Sequence, residues 1–524
     1  MPLFSIVTPV YNPPLWAFEE CIRSVINQSF QDWEWCLADD CSTNPEILER
    51  IRELQKVDRR IRFVARNGNG GIVAASNDAL NLATGDYVVL LDHDDSLSVG
   101  ALEVASELLG FCPDTDYIYS DEDKVDVDGN HFDVFHKPSW SPERLLGQNY
   151  CCHLSILRRS VVLQVGGFRE GFDGSQDYDL ILRVTEVAEG IRHIPEVLYH
   201  WRVVEGSTAA EQFAKPYAIE AARRAVEEHL KRRSIESVVT TTTHGYQKVT
   251  RRLQNFPLVS IVIPSGAFSQ IVRGKNRLLL ADAVRSILEK STYPNYEIVV
   301  VLDKNNFSVD QNLQLVLEDP RVVVVDYEKP FDFSDKCNVG AVISRGEIIL
   351  FLNDDTEVIS PDWMETLVGH LCDPGVGIVG ARLLFEDDTI QSAGHTNDPS
   401  PHSYGLGAKS TDPGEFGNLG IAQERSGLTG ACFALSKELY MKVGGMSLVY
   451  PHCFNDVDLC FKVLELGKRL IWTPFADLYH FESLSRDPTP RPKEIEALYS
   501  RWSRYFGEDQ YLPQPYKAFW DEAN

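Results

Sequence analysis

The sequence repeats itself, and that repetition restricts the available architectures more than any other feature. FSIVTPVYN at Phe4 is answered by VSIVIPSGA at Val259, GDYVVLLDHDD at Gly85 by GEIILFLNDD at Gly346, and VGGF at Val165 by VGGM at Val443. QDYDLILRV at Gln176 then matches NDVDLCFKV at Asn455, and IPEVLYHW at Ile194 matches TPFADLYHF at Thr473. Five landmarks in one order mean two copies of one folding unit. The offset grows from 261 positions between Gly85 and Gly346 to 279 between Asp177 and Asp456, so the second copy carries extra residues, placed in the Gly-rich stretch from Arg382 to Gly430. A chain of 524 residues agrees, because single cores stop growing at roughly 250–300 residues. Domains over 1–250 and 256–524 follow, with the boundary near Arg251 to Pro257.

Each copy opens with a Val/Ile-rich strand, an amphipathic stretch (AFEECIRSVINQ; LADAVRSILEK) and another apolar strand (WEWCLADD; YEIVVVLD). This pattern predicts an α/β fold with a mainly parallel sheet flanked by helices in each half. Ligands of such sheets bind beyond the carboxyl ends of the strands, where Asp39, Asp92, Asp303 and Asp355 fall. Helices from Pro216 and from Arg491 close the two copies as packing elements.

The composition, 44% hydrophobic and 24% charged, is that of a folded globular protein. A net charge of -27 repels phosphate backbones and anionic lipid surfaces, which excludes a nucleic-acid partner or a broad electrostatic membrane patch. A small phosphorylated ligand needs a divalent cation or local basic groups beside it. The apolar runs YVVLL and EIILFL are strand-length, so no transmembrane segment is expected. MPLFSIVTPVYN lacks the pattern of a secretory signal, and a cytoplasmic protein is expected. The eleven cysteines, without CxxC or zinc spacing, read as reduced thiols, with the adjacent Cys151 and Cys152 as buried small apolar residues.

Asp92 and Asp94 lie two apart at the end of a strand, so their side chains point the same way and suit a divalent cation bridging two phosphates. His200 and His480 follow the same Leu-Tyr in both halves and are candidates to complete a metal shell. Asp177 with Asp179, and Asp456 with Asp458, begin amphipathic stretches. One of each pair can serve the helix N-terminus while the other accepts a proton from a substrate hydroxyl. Trp201, His402 and Tyr404 are open to either stacking on a ligand ring or packing.

Taken together, TPVYN, the ADDCST turn at Ala38, NGG at Asn69, Asn77, LDHDD, GGF and QDYDL resemble the inverting family 2 glycosyltransferases of GT-A fold. The second half resembles that family's polysaccharide-forming branch, through YPNYEIVVVLD, FDFSDKCNVGA, LNDDTEV, TGACFALS, NDVDLC and YHFESLSR. The resemblance implies two tandem nucleotide-sugar-binding domains using Mn2+ or Mg2+. It places Pro9, Tyr11, Asn12, Asp39, Asp40, Asn69, Asn77, Asp92, His93 and Asp94 at the donor in the first half, and Pro264, Asp303, Asn338, Asn353, Asp354 and Asp355 in the second. Asp94, His200, Asp355 and His480 are the implied metal contacts, and Asp177 and Asp456 the implied bases. Gln176, Trp201 and Asn455 fall on the acceptor side. The donor would be a UDP- or dTDP-sugar, and the acceptor a glycan, free or lipid-linked. Membrane association would come only through a partner or that acceptor, at the inner face.

Three departures stand out. Gln176 and Asn455 replace the family's Glu before the base, Asn353 replaces the first aspartate of the DxD signature, and SGAFSQIVRGKNRLLL with VLDKNN replaces the loop and turn that open the second domain. A nucleotidyltransferase lacks its Gly-rich basic loop here, and GNGGIVAAS does not supply the GxGxxG of a dehydrogenase. The remaining alternative is one active transferase domain beside a degenerate glycan-binding or scaffold domain.

Overall fold

The computed structural model describes residues 1–203, 216–304, 311–481, 489–507 and 509–512. It forms two compact units, Met1–Ser141 with Leu145–Val249, and Pro142–Arg144 with Thr250–Leu512. Asn305 and Asn306 of the VLDKNN turn, and the end of YHFESLSR, lie outside the described residues.

The first unit contains β1 (Phe4–Val10), β2 (Trp33–Asp39), β3 (Ile61–Ala65), β4 (Tyr87–Leu90), β5 (Ser96–Leu97), β6 (Thr115–Val125), β7 (His131–Phe135), β8 (Ser155–Arg158) and β9 (Gly190–Arg202). They form one sheet in the order β3-β2-β1-β4-β8-β6-β9-β5, with β7 added to β6. β1 runs parallel to β2 and β4, and β8 runs antiparallel to β4. Strands covered by helices on both faces read as continuous apolar runs, which is why FSIVTPV is buried at nearly every position. Phe4, Ile6, Trp35 and Val89 anchor this core. A small hairpin of β10 (Ser237–Thr241) and β11 (Gln247–Arg251) follows.

The second unit contains β12 (Val259–Ser265), β13 (Ser269–Val272), β14 (Lys275–Leu278), β15 (Tyr296–Asp303), β16 (Val322–Tyr327), β17 (Ile348–Leu352), β18 (Thr356–Val358) and β19 (Val376–Leu384). It continues with β20 (Ile390–Ser392), β21 (His395–Thr396), β22 (His402–Ser403), β23 (Gln423–Glu424), β24 (Cys432–Ser436) and β25 (Arg469–His480). Its main sheet runs β16-β15-β12-β17-β24-β19-β25-β18, the strand order of the first unit repeated. The added residues fall between β19 and β24, where the repeat offset places them, and build β20 to β23. SGAFSQIVRGKNRLLL folds as the β13–β14 hairpin.

A buried polar device is repeated as well. Ser5 Oγ donates to Glu34 at 2.7 Å and receives the Gly85 N–H at 2.8 Å, while Ser260 does the same between Glu297 (2.7 Å) and Gly346 (2.8 Å). Both glycines are needed, because a Cβ on Gly85 or Gly346 would come within 2.8 Å or 2.5 Å of neighbouring atoms.

One element breaks the symmetry. Along β9 the partners of Asp121 and Glu122 are Val197 and Tyr199, so Leu198 is an extra residue. The equivalent partners on β25, Asp477 and Leu478 opposite Arg382 and Leu383, are consecutive. A bulge of this kind shifts every later residue by one position. His200 therefore sits opposite Ser96, whereas His480 sits opposite Thr356. This corrects the expectation that the two histidines are equivalent: in register, Trp201 stands where His480 does.

Candidate active site

In the second unit β12, β15 and β17 run parallel and end at one edge of the sheet, which delivers Pro264, Asp303 and Asn353 to the same place. There a cleft of about 700 Å³ is lined by these residues together with Asp354, Asp355, Asp456 and His480. Residues carried by five separate segments thus meet around one space.

The polar groups of the cleft are tightly arranged. Buried Lys336 lies 2.6 Å from Asp303 Oδ1 and donates to the Ser265 carbonyl at 2.9 Å. Ser265 Oγ donates to Asp354 at 2.5 Å, and burial, reinforced by Asp355, pushes the Asp354 carboxyl up to about 7. Asp355 Oδ1 lies 3.0 Å from His480 Nε2, and His480 Nδ1 is held by Gln391 at 2.8 Å. Asp456 Oδ2 accepts the Gly430 N–H at 2.7 Å, and Asn455 Oδ1 accepts the Asp456 N–H at 2.9 Å.

Asn353 Oδ1 and Asn455 Nδ2 are buried and have no hydrogen-bond partner among the described residues, although both residues line the cleft. Buried polar atoms are normally satisfied, so these two are what a bound ligand or cation would complete. The amide oxygen of Asn353, the Asp355 carboxylate and the His480 imidazole make a donor set that fits a hard divalent cation with one nitrogen ligand.

The structure separates the members of each aspartate pair. Asp179 and Asp458 are fully buried. Asp179 holds Arg183 at 2.7 Å together with Arg169, and Asp458 holds Lys462 at 2.7 Å, Arg501 at 3.1 Å and the Trp502 indole N–H at 2.9 Å. These are anchors of the surrounding helices. Asp177 and Asp456 remain as the members with other surroundings.

In the first unit several expected donor residues are engaged by the backbone. Asp40 accepts the N–H groups of Gly70 and Gly71, both at 2.8 Å, and pairs with Arg66 at 3.0 Å. Asp39 accepts the Ser42 N–H at 3.1 Å, and Asn12 accepts that of Thr43 at 2.8 Å. Asn69 caps Gly71 at 3.2 Å, His93 contacts the Pro9 carbonyl at 3.0 Å, and Tyr11 is exposed. Asn77 and Asn338, expected at the donor, instead clamp the VGGF and VGGM turns. Asn77 bonds both backbone groups of Phe168, and Asn338 both of Met446. Each amide thus spends a donor and an acceptor on the backbone of its turn. Tyr404 likewise is buried against Arg425 and Asn418, which makes it a packing residue.

The metal candidates of the first unit also regroup. Among the described residues, two sets bring three capable side chains within 4.8 Å: Asp92, Asp95 and His153, and Asp123, His131 and His200. Asp94 belongs to neither and lies 4.0 Å from His93. His200 Nδ1 is 2.7 Å from Asp123, and its Nε2 is 3.0 Å from Ser98. Burial raises both Asp92 and Asp95, with Asp94 adding to each.

Asp177 is contacted by Asn149 at 2.8 Å and by Cys152 Sγ at 3.4 Å, while Gln176 turns back to the Gly174 N–H at 2.8 Å. Next in the chain, His153 Nδ1 is 3.2 Å from Glu122, and its ring stacks on Tyr199 at 4.5 Å with Trp201 at 5.4 Å. Burial raises Glu122, but Lys137 and His153 outweigh it and bring that carboxyl down to about 2. Cys152, His153, Glu122 and Lys137 were not expected at this site. The available signal was the mismatch between CCHLSILRRS and TGACFALSKE when the two copies are laid together.

Two sheets of one strand order, each ending in acidic residues at the carboxyl edge, define a tandem GT-A architecture. Residues 5–166 and 272–444 match the family model "Glycosyl transferase family 2", and the chain belongs to that family. It is 40% identical to the uncharacterised protein y4gI of Sinorhizobium fredii, over 98% of this chain and 57% of that one. The O-antigen biosynthesis protein RfbC of Myxococcus xanthus is 34% identical over 98% of this chain and 40% of its own length. Chondroitin synthase of Escherichia coli is 31% identical over 40% of this chain and 30% of its own. The chain spans about half the length of the first two relatives, 57% and 40%.

Proposed function

We propose that this glycosyltransferase moves a sugar from a UDP- or dTDP-sugar to a growing glycan acceptor, with inversion, in the cleft of the second unit. The observation that carries this reading is the convergence of Asp303, Asn353, Asp355, His480 and Asp456 on one cleft. Asp303, held by Lys336, would receive the nucleotide, and Asp456, fixed by Gly430, would take the proton from the acceptor hydroxyl. That oxygen then attacks the anomeric carbon from the face opposite the departing nucleoside diphosphate, and configuration inverts in one displacement. Asn455, whose amide nitrogen is buried at the cleft, would position the acceptor.

Asn353, Asp355 and His480 would hold Mn2+ or Mg2+, which when bound offsets the charge on the departing diphosphate. The protein's own contribution is the arrangement of binding groups before the reaction begins. The names of the relatives RfbC and chondroitin synthase favour assembly of a cell-surface polysaccharide. Among the described residues no helix is long and apolar enough to cross a membrane. A cytoplasmic location, with contact to the inner membrane face through a lipid-linked acceptor, fits the nucleotide-sugar donor.

Transfer by both units is the fuller reading of the tandem sequence, and the presence of Asp177 favours it. Residues beside Asp177 favour a single transferring unit. The test is product analysis with a panel of UDP- and dTDP-sugars and Mn2+. Release of nucleoside diphosphate with a new glycosidic bond of inverted configuration supports the reading. Lack of transfer and of hydrolysis across the panel would sink it.

A further inference from the structure

The two copies serve as internal controls for each other at one position beside the base. β4 pairs with β8 from Tyr87 and Arg158 to Leu90 and Ser155, and β17 pairs with β24 from Ile348 and Ser436 through Phe351 and Phe433. Ser155 therefore stands where Phe433 stands. Counting back, His153 takes the place of Ala431 and Cys152 that of Gly430.

In the second unit these two places are nearly empty of side chain. Gly430 and Ala431 line the cleft, and a Cβ on Gly430 would already come within 3.2 Å of Asp456 Cβ. In the first unit a thiol and an imidazole occupy them. Cys152 Sγ lies 3.4 Å from both Asp177 Oδ2 and His153 Nε2. The imidazole extends onward between Tyr199, Trp201 and Glu122, and one of its nitrogens falls within 4.8 Å of the carboxylate oxygens of Asp92 and Asp95. Lys137, fully buried, lies 3.0 Å from Glu122.

We infer that Cys152 and His153 close the first unit's copy of the donor site, so that nucleotide and cation are bound by the second unit alone. The ring of His153 projects from the wall that Ala431 leaves open toward the carboxylates that correspond to Asn353 and the Asp354–Thr356 turn. It takes the space a donor diphosphate would need and supplies its own nitrogen to the acidic cluster. Cys152 and Asn149 together surround the oxygen of Asp177 that would meet an acceptor hydroxyl. The first unit thus keeps the transferase sheet while losing the cavity beside the base. This inference rests on the second unit being the site of transfer.

The experiment is calorimetric titration of the full chain with UDP, dTDP and GDP, each with Mn2+. Wild type is expected to bind one nucleotide per chain, and Asp355→Asn to weaken that site by at least 100-fold. The double variant Cys152→Gly/His153→Ala is expected to bind two, and to retain one site when Asp355→Asn is added. Two nucleotide sites in wild type would overturn the inference, as would a folded double variant that still binds one. Should the double variant fail to fold, His153→Ala alone and the wild-type stoichiometry decide. Binding of none of the three nucleotides by wild type removes the donor reading itself, an outcome distinct from two sites.

Discussion

Asp456 turns one carboxylate oxygen to the backbone N–H of Gly430 at 2.7 Å, across the wall of the cleft. Residue 430 has no side chain to crowd that carboxylate. Gly430→Ala would bring a Cβ to 3.2 Å from Asp456 Cβ and 3.4 Å from its Oδ2, displacing the carboxylate by a few tenths of an ångström. Small misplacements of a reacting group are costly, so kcat is expected to fall by about 10- to 100-fold. Donor KM should stay within about twofold, because the nucleotide end of the cleft is untouched. Steady-state kinetics with separate donor and acceptor titrations measure the split.

Asp456→Asn keeps the shape and the hydrogen bond to Gly430 while removing the proton acceptor. Transfer is expected to drop by about 10²- to 10⁴-fold, the usual contribution of a general base. Nucleotide affinity should remain near wild type. Equal losses of affinity and turnover would argue that Asp456 holds the donor instead.

Chelation with EDTA is expected to abolish transfer, and Mn2+ or Mg2+ to restore it. Asp355→Asn should raise the metal concentration needed for half-maximal rate by at least about tenfold, as removal of a direct carboxylate ligand requires. Activity that persists fully after chelation contradicts the assignment of Asn353, Asp355 and His480.

Asp179 and Asp458, two residues beyond Asp177 and Asp456, should behave in another way. Each is fully buried against cationic side chains, Arg169 and Arg183 in one unit and Lys462 and Arg501 in the other. Replacing either by Ala removes the carboxylate partner of a largely buried cation, Arg183 or Lys462, at a cost of about 3–5 kcal/mol. Urea unfolding followed by tryptophan fluorescence should show the loss, whereas Asp456→Asn should leave the unfolding transition nearly unchanged.

The Glu34 and Glu297 carboxyls give the fold a defined acid sensitivity. Burial raises both, but hydrogen bonds from Ser5, Thr84 and Arg62 at Glu34, and from Arg345 and Ser260 at Glu297, outweigh it and leave both below the ordinary value of 4.5. A carboxyl whose folded value is depressed contributes stability above its unfolded value, and that contribution is lost as pH falls through the folded value. Glu34→Gln and Glu297→Gln should therefore lower Tm at pH 7 by clearly more than at pH 3. Calorimetric scans at the two pH values test the difference.

Much of this was readable before any coordinates. The repeat predicted two units and the place of the added residues, because a duplicated strand order leaves the same apolar runs and turn glycines in both copies. The acidic residues at the strand ends were readable because a parallel sheet places those ends together. Their surroundings were less so. Asn77 and Asn338 carried a motif identity but lie against backbone turns, and only the fold brings Phe168 and Met446 to them.

By itself the sequence determined the family, the two sheets and the positions of the carboxylates, since strand periodicity and local motifs are properties of short segments. Only the tertiary structure decided which carboxylates share a cleft, which histidine faces which aspartate, and what stands beside each base. A one-residue bulge in β9 is enough to separate His200 from the position of His480, although both follow the same Leu-Tyr. Register and close approach depend on pairing between segments far apart in the chain, and no single segment carries that information.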